Sequence, residues 1–272
     1  MKIINLIEDT KGVNGCHHEH GLSFYIETEN HKLLLDTGAT DAFLDNAIVL
    51  GIDLKKVDTV IISHGHYDHT GGLLAFTAIN PSAKIYIQKA ACGEFYNYRN
   101  QEEKYIGMDK RISELPQVVF LDGDLQIDNE LSIFTGVTGR KLWPKGNEIL
   151  KKKCGSEFVQ DDFCHEQYLV ITEGEEGVLL SGCAHNGILN ILEKFEEHFG
   201  GLPTHVISGF HMMKKSDYTL EDTRMIEETA RILSNMDTKF YSGHCTGEYP
   251  LGVLKGILKE KIVEMHSGES IM

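Results

Sequence analysis

Apolar and polar positions along the chain repeat one rhythm twice. In the first half, Lys2–Ile7, Ser23–Thr28, Lys32–Asp36 and Asp58–Ser63 are alternating or fully apolar runs that predict strands, and Asn30 marks a hairpin turn between the second and third. Asp41–Leu50 carries helical spacing (Phe43, Leu44, Ala47, Ile48) and stops at Gly51. Gly72–Ile79 predicts a second short helix closed by Asn80-Pro81, and Lys84–Gln88 returns as a strand. In the second half, a strand near Leu131–Thr135 is followed by Tyr168–Thr172 and Val178–Ser181, then a helix over Gly187–His198. Thr204–Ser208, Lys239–Tyr241 and Lys261–Met265 predict three more strands, separated by the helices Leu220–Met236 and Leu251–Leu258. Hairpins followed by α/β alternation, twice over, suit two sheets packed face to face with helices outside: a four-layer αββα sandwich.

Two stretches break the rhythm, about 92–117 and 139–166. They are polar, poorly periodic and spotted with aromatics (Phe95, Tyr96, Tyr98, Tyr105, Trp143, Phe158, Phe163). They read as insertions in one domain spanning 1–272, either lids and substrate walls whose aromatics stack on a ring, or surface excursions. No repeat, low-complexity tract or linker divides the chain.

Composition narrows the function. Hydrophobic residues make up 41% and charged residues 25%, as in an ordinary folded protein. With 41 acids against 26 bases the formal net charge is −15, which disfavours nucleic acid as a partner. No apolar run approaches the ~20 residues needed to cross a bilayer, and the N-terminus reads as a first strand, so a cytoplasmic protein that does not engage membranes is expected. The six cysteines form no CxxC pair and imply no disulfide framework. The 14 histidines fall partly in tight groups, and there the chemistry is expected.

The densest group is Ser63-His64-Gly65-His66-Tyr67-Asp68-His69-Thr70-Gly71-Gly72. An apolar strand empties into three imidazoles and a carboxylate within six residues, a donor set suited to zinc, manganese or ferrous iron. Residues two apart on extended backbone point the same way, so His64 and His66 can share one ion. Asp68 and His69, past the turn, can face a second. Gly65, Gly71 and Gly72 are expected to let the backbone bend around the ions.

This HxHxDH pattern resembles the metallo-β-lactamase superfamily, as do Leu35-Asp36-Thr37-Gly38 and the segment Leu50–Asp53 with Val57–Val60. Further motifs (Glu19-His20-Gly21-Leu22-Ser23, Ser181–Ile188, Ser208-Gly209-Phe210-His211 and Gly243-His244-Cys245-Thr246-Gly247) are similar to the dihydropterin ribofuranosyl-aminobenzene phosphate synthase-like group. The resemblance implies two divalent metal ions and a second-sphere role for Asp36 that orients a ligand imidazole. The superfamily's usual third-motif histidine is missing, since Gly136-Val137-Thr138-Gly139-Arg140 stands there, and Ser181-Gly182-Cys183 replaces the usual bridging aspartate. His185 is therefore expected to supply the missing imidazole, Cys183 to lie on or beside the metals, and His244 to be the last ligand.

Alternatives stand beside these expectations. His185 and His244 can be cap or core histidines, and Cys183 a small buried hydrophobe. His211 reads as ligand, substrate clamp, acid/base group or structural residue; Cys245 reads as structural. His20 is the pocket-facing choice among His17, His18 and His20, while His31, His165, His198, His205 and His266 read as structural or exposed. The expected activity is metal-dependent hydrolysis of a phosphate ester or phosphodiester of a small anionic metabolite, with zinc ahead of manganese or iron. Asp68 accepts a hydrogen bond from the nucleophile and His211 acts on the leaving group. A pterin-type transferase and a non-catalytic metal sensor are the alternatives, and oligomeric state is left open.

Overall fold

Leu33, Leu34 and Leu35 are consecutive and all fully buried. A strand can bury successive side chains only if both of its faces are covered. Leu33 and Leu35 face a second sheet, in a cluster with Phe24, Ile61, Leu169, Ile171, Leu180 and Ile207. Leu34 packs the other way, with Val60, Phe43 and Phe76.

The computed structural model describes residues 1–13, 15–99, 102–174 and 176–272. One sheet orders Lys2–Ile7, Ser23–Glu27, Lys32–Leu35, Thr59–Ile61, Lys84–Gln88 and Val118–Leu121, antiparallel through the third strand and parallel beyond it. The other orders Ile262–Glu264, Lys239–Ser242, His205–Ile207, Glu176–Leu180, Tyr168–Glu173, Leu131–Phe134 and Leu125–Gln126; its first four strands run parallel. Helices Ala42–Val49 and Leu73–Ile79 cover the outer face of the first sheet. Ile188–Phe199, Leu220–Ser234 and Glu248–Leu258 cover that of the second. The αββα sandwich expected from the pattern is the observed one.

The two insertions depart from expectation. They hold a third, antiparallel sheet, ordered Glu157–Gln160, Leu150–Cys154, Phe95–Arg99 and Glu102–Tyr105, where the sequence predicted only irregular chain. Residues 100 and 101 of the first insertion lie outside the described residues. This sheet rests on a small cluster of Phe95, Ile106, Leu150 and Phe163. Tyr98 stacks on Phe158 at 5.4 Å between ring centroids, and Tyr96 meets Phe158 edge-on at 5.0 Å.

The glycines after the histidine motif also play a different part from the one expected. Gly71 and Gly72 have ordinary helical φ values of −63° and −82°. What they supply is proximity: a Cβ on Gly71 would lie 2.0 Å from the Ala39 carbonyl oxygen, and one on Gly72 2.4 Å from the Thr37 carbonyl. The loop after strand Lys32–Leu35 is thereby pressed onto the motif and pinned by Thr37 N–H donating to the His69 carbonyl at 2.8 Å. Among the described residues, no helix is long and apolar enough to cross a membrane.

Candidate metal centre

Parallel strands of both sheets end at one edge, and the loops leaving them carry the site. His64, His66, Asp68 and His69 follow Thr59–Ile61; Cys183 and His185 follow Glu176–Leu180; His211 follows His205–Ile207; His244 follows Lys239–Ser242. The structure gathers seven of them in overlapping groups that share Cys183, and His66 joins through its Nδ1, 3.0 Å from His64 Nε2. All but His211 are buried; His211 is half-buried.

Hydrogen bonds fix which imidazole nitrogens face inward. Ser63 Oγ–H donates to Asp36 Oδ2 at 2.7 Å, so Ser63 Oγ accepts from His64 Nδ1–H at 2.9 Å. His69 Nδ1–H donates to the same Asp36 oxygen at 2.7 Å, and His244 Nδ1–H donates to Asp9 Oδ1. Asn147 gives its amide N–H to the His185 carbonyl, which leaves its Oδ1 to accept from His185 Nδ1–H at 2.9 Å. In His64, His69 and His185 Nε2 is left as a bare lone pair, the arrangement a metal ligand requires, and His244 Nε2 is turned toward Cys183.

The inward atoms form two sets. His64 Nε2 lies 3.0 Å from His66 Nδ1 and 3.3 Å from His185 Nε2. Zinc–nitrogen bonds of about 2.0–2.1 Å in a tetrahedron put neighbouring nitrogens about 3.3 Å apart, so each of these two separations suits a pair of ligands on one ion. In the second set, Asp68 Oδ2 is 3.7 Å from His69 Nε2 and 3.6 Å from His244 Nε2. Cys183 Sγ sits 3.1 Å from His69 Nε2 and 3.4 Å from His244 Nε2, and also groups with His64 and His185. The thiol thus lies between the two sets.

Electrostatics agree with the donor roles. Burial, reinforced by neighbouring imidazoles, drives His64 and His185 well below the ordinary histidine range, and His66 down to about 3, so all three are neutral. Burial alone would raise Asp68, but His69, His244 and His20 hold it at about 2. Burial likewise opposes charge on His244, yet Cys245, Asp9 and Asp68 raise it to about 10. That nitrogen is therefore poised to hold positive charge, for which proton and metal compete.

Several supporting residues were not singled out from the sequence. Asp9 joins His20, at 2.8 Å, to His244. Asn147 and Glu166 hold the His185 loop, Glu166 accepting from the His185 and Asn186 amides at 2.6 and 2.9 Å. His165 is fully buried beside His66, accepts from Gly65 N–H at 3.2 Å and bonds Asp161. None of these has a motif of its own; each is defined by a long-range contact. All three amino-terminal histidines are exposed, but only His20 lines the cavity, where it stacks on His244 at 5.0 Å.

A cavity of about 820 Å³ opens over the centre, with Asp68, Cys183, His185 and His211 on its lining. Arg99 and Lys104 from the third sheet, with Lys145, Lys214 and Lys215, line it beside the acids Glu102, Glu148, Glu221 and Asp222. Lys145 is bonded to Glu221 at 2.8 Å and Lys214 to Asp222. The insertion aromatics work from behind the site: Phe163 stacks on His185 at 4.5 Å and 3°, and Phe95 meets His66 edge-on at 5.7 Å.

Fold and site together define a protein of the metallo-β-lactamase superfamily, and the chain belongs to it. The family model described as "Metallo-beta-lactamase superfamily" matches residues 19–143. The crystal structure of Tm1679, described as a metal-dependent hydrolase of the beta-lactamase superfamily, superposes with a TM-score of 0.83 at 30% identity, covering 100% of this chain and 98% of that one. Two proteins of Methanocaldococcus jannaschii are each 28% identical. One is the uncharacterized MJ0448, matched over 90% of this chain and 91% of its own length. The other is 7,8-dihydropterin-6-methyl-4-(beta-D-ribofuranosyl)-aminobenzene-5'-phosphate synthase, matched over 100% of this chain and 96% of its own length.

Proposed function

We propose that this protein is a metal-dependent hydrolase that uses a metal-activated water on a phosphate ester or phosphodiester of a small anionic metabolite in the cytoplasm. The observation that carries the reading is the set of four imidazoles whose outer N–H groups are engaged and whose inner nitrogens converge with Asp68 and Cys183. His64, His66 and His185 would hold one divalent ion, and Asp68, His69 and His244 a second, with Cys183 between; zinc would suit the donors best, ahead of manganese or iron. When bound, the ions supply a water acidic enough to attack at neutral pH and positive charge for the developing oxyanion. Asp68 then orients the nucleophile by accepting its hydrogen bond. His211, on the cavity side of His185 with ring centroids 4.0 Å apart, donates a proton to the leaving oxygen. Arg99, Lys104 and Lys215 hold the substrate's anionic groups.

A second reading, a synthase joining two organic substrates, is favoured by two observations. The cavity of about 820 Å³ sits near the upper end of the usual ~300–1,000 Å³ range for ligand sites, and the whole-length relative is named as a synthase.

Elemental analysis beside a screen of chromogenic phosphomonoesters and phosphodiesters tests the proposal. The expected result is turnover with at least two equivalents of metal, the two of the dinuclear centre. His66→Ala should lose one equivalent and reduce kcat/KM by more than the ~10–100-fold typical of losing an outer-sphere partner. Full activity in metal-stripped His66→Ala would overturn the mechanism. Product formation only when two organic substrates are present together would transfer the assignment to the synthase.

A further inference from the structure

Three side chains at the cavity are not accounted for by the two histidine sets alone. They are the Cys183 thiol, which those sets share, together with His211 and Cys245. Three adjacent parallel strands, Glu176–Leu180, His205–Ile207 and Lys239–Ser242, deliver them through the segments Ser181-Gly182-Cys183, Ser208-Gly209-Phe210-His211 and Gly243-His244-Cys245. The two sulfur atoms and a His211 ring nitrogen all lie within 4.8 Å of one another. Both cysteines are only 2% exposed, yet all three residues border the cavity.

The surroundings are shaped to this cluster. A Cβ on Gly209 would lie 2.4 Å from Cys245 Sγ, so glycine at that position is what gives the thiol its place. Gly209 N–H donates to the Gly182 carbonyl at 2.8 Å and ties the His211 and Cys183 loops together. His211 itself sits at φ 47°, a backbone region that L residues rarely occupy and that marks functional positions. Its Nδ1 is buried and has no hydrogen-bond partner, whereas nearly all buried polar atoms have one.

We propose that Cys183, His211 and Cys245 form a third metal position, adjoining the dinuclear centre and sharing the Cys183 thiolate with it. Two thiolates and an imidazole select a borderline or soft cation, with zinc or cadmium fitting the set. Three protein ligands leave a fourth direction open to the cavity, as in a catalytic rather than a structural site. An ion there gives Cys245 a chemical role in place of the structural one expected from the sequence, and it takes a His211 ring nitrogen, so His211 serves as proton donor only while this position is empty. The assignment rests on the dinuclear reading only in sharing Cys183.

The test is a cadmium titration of the full-length protein in which exposed Cys92, Cys154 and Cys164 are replaced by serine, following metal stoichiometry and thiolate-to-cadmium charge-transfer absorbance. Three equivalents and a band from two thiolates are expected. Cys245→Ser should remove the third equivalent and about half of the band while the other two ions stay, as expected for one of two thiolate ligands. Circular dichroism checks that the variant is folded. His211→Gln is the second variant, and should weaken the third ion at least ~10-fold while the band survives at higher cadmium. A parent protein that stops at two equivalents, or an unchanged stoichiometry and band in Cys245→Ser, would overturn the third position and leave the dinuclear centre standing. A loss in Cys245→Ser with none in His66→Ala would instead support the thiolate position and sink the dinuclear reading.

Discussion

Asp36 serves three groups with one carboxylate. Oδ1 accepts from Ser63 N–H at 2.7 Å, and Oδ2 accepts from Ser63 Oγ–H and His69 Nδ1–H, both at 2.7 Å. Through Ser63 it sets the tautomer of His64, and directly that of His69, so one buried residue orients a donor in each of the two sets. Asp36→Asn keeps the volume but replaces an acceptor oxygen with an N–H. The expected result is a folded protein whose metal affinity drops by about 10–100-fold, read by competition with a chromogenic chelator. Unchanged affinity would mean that Asp36 only ties the loop to the strand. The role of Asp36 was foreshadowed in the sequence by the resemblance around Asp36-Thr37-Gly38. The matching role of Asp9 was not, because an aspartate just past a first strand becomes the partner of His244 only when residues 235 positions apart meet.

At the scale of elements, the third sheet is what turns a metal edge into a walled site. Phe163, fully buried and at φ 53°, lies flat on His185 and against Trp143 at 6.0 Å. Phe163→Ala removes that wall and is expected to cost about 3–5 kcal/mol in denaturant unfolding, together with weaker metal retention. A loss below ~1 kcal/mol would show that the insertion folds back over the gap. These strands were illegible for a plain reason. Leu150–Cys154 reads Leu-Lys-Lys-Lys-Cys with one buried residue, and Glu102–Tyr105 is exposed throughout, so neither carries a period-two apolar signal. The helix Leu220–Ser234, by contrast, announces its start through Thr219 and Asp222, which form a capping box.

At the scale of the molecule, the centre joins the two sheets. His64, His66, Asp68 and His69 come from the first, and Cys183, His185 and His244 from the second. Metal bound across that seam favours the folded state by mass action, about 2.7 kcal/mol at a free concentration 100 times Kd. Thermal unfolding should therefore shift upward with added zinc and downward with chelator, and His66→Ala should lose the share of the response that belongs to one ion. An identical Tm with and without chelator would show that the seam holds without the ion. The formal charge of −15 adds long-range attraction for cations, which weakens as salt is raised.

The sequence by itself determined the parts whose causes are local. These are the strand and helix periods, the layer order that follows from burying both faces of Lys32–Leu35, and the His64–His69 cluster, whose spacing places its donors together on one short loop and the helical turn Tyr67–Thr70 that follows it. Tertiary structure alone decided what depends on residues distant in the chain. It made the motif glycines spacers against the Thr37–Thr40 loop, folded two polar insertions into a sheet, and chose Asp9, Asn147 and Glu166 as partners of the imidazoles. The division has one physical origin. Period and spacing are written in neighbouring residues, whereas a buried hydrogen bond or close backbone approach exists only after packing has brought remote segments together.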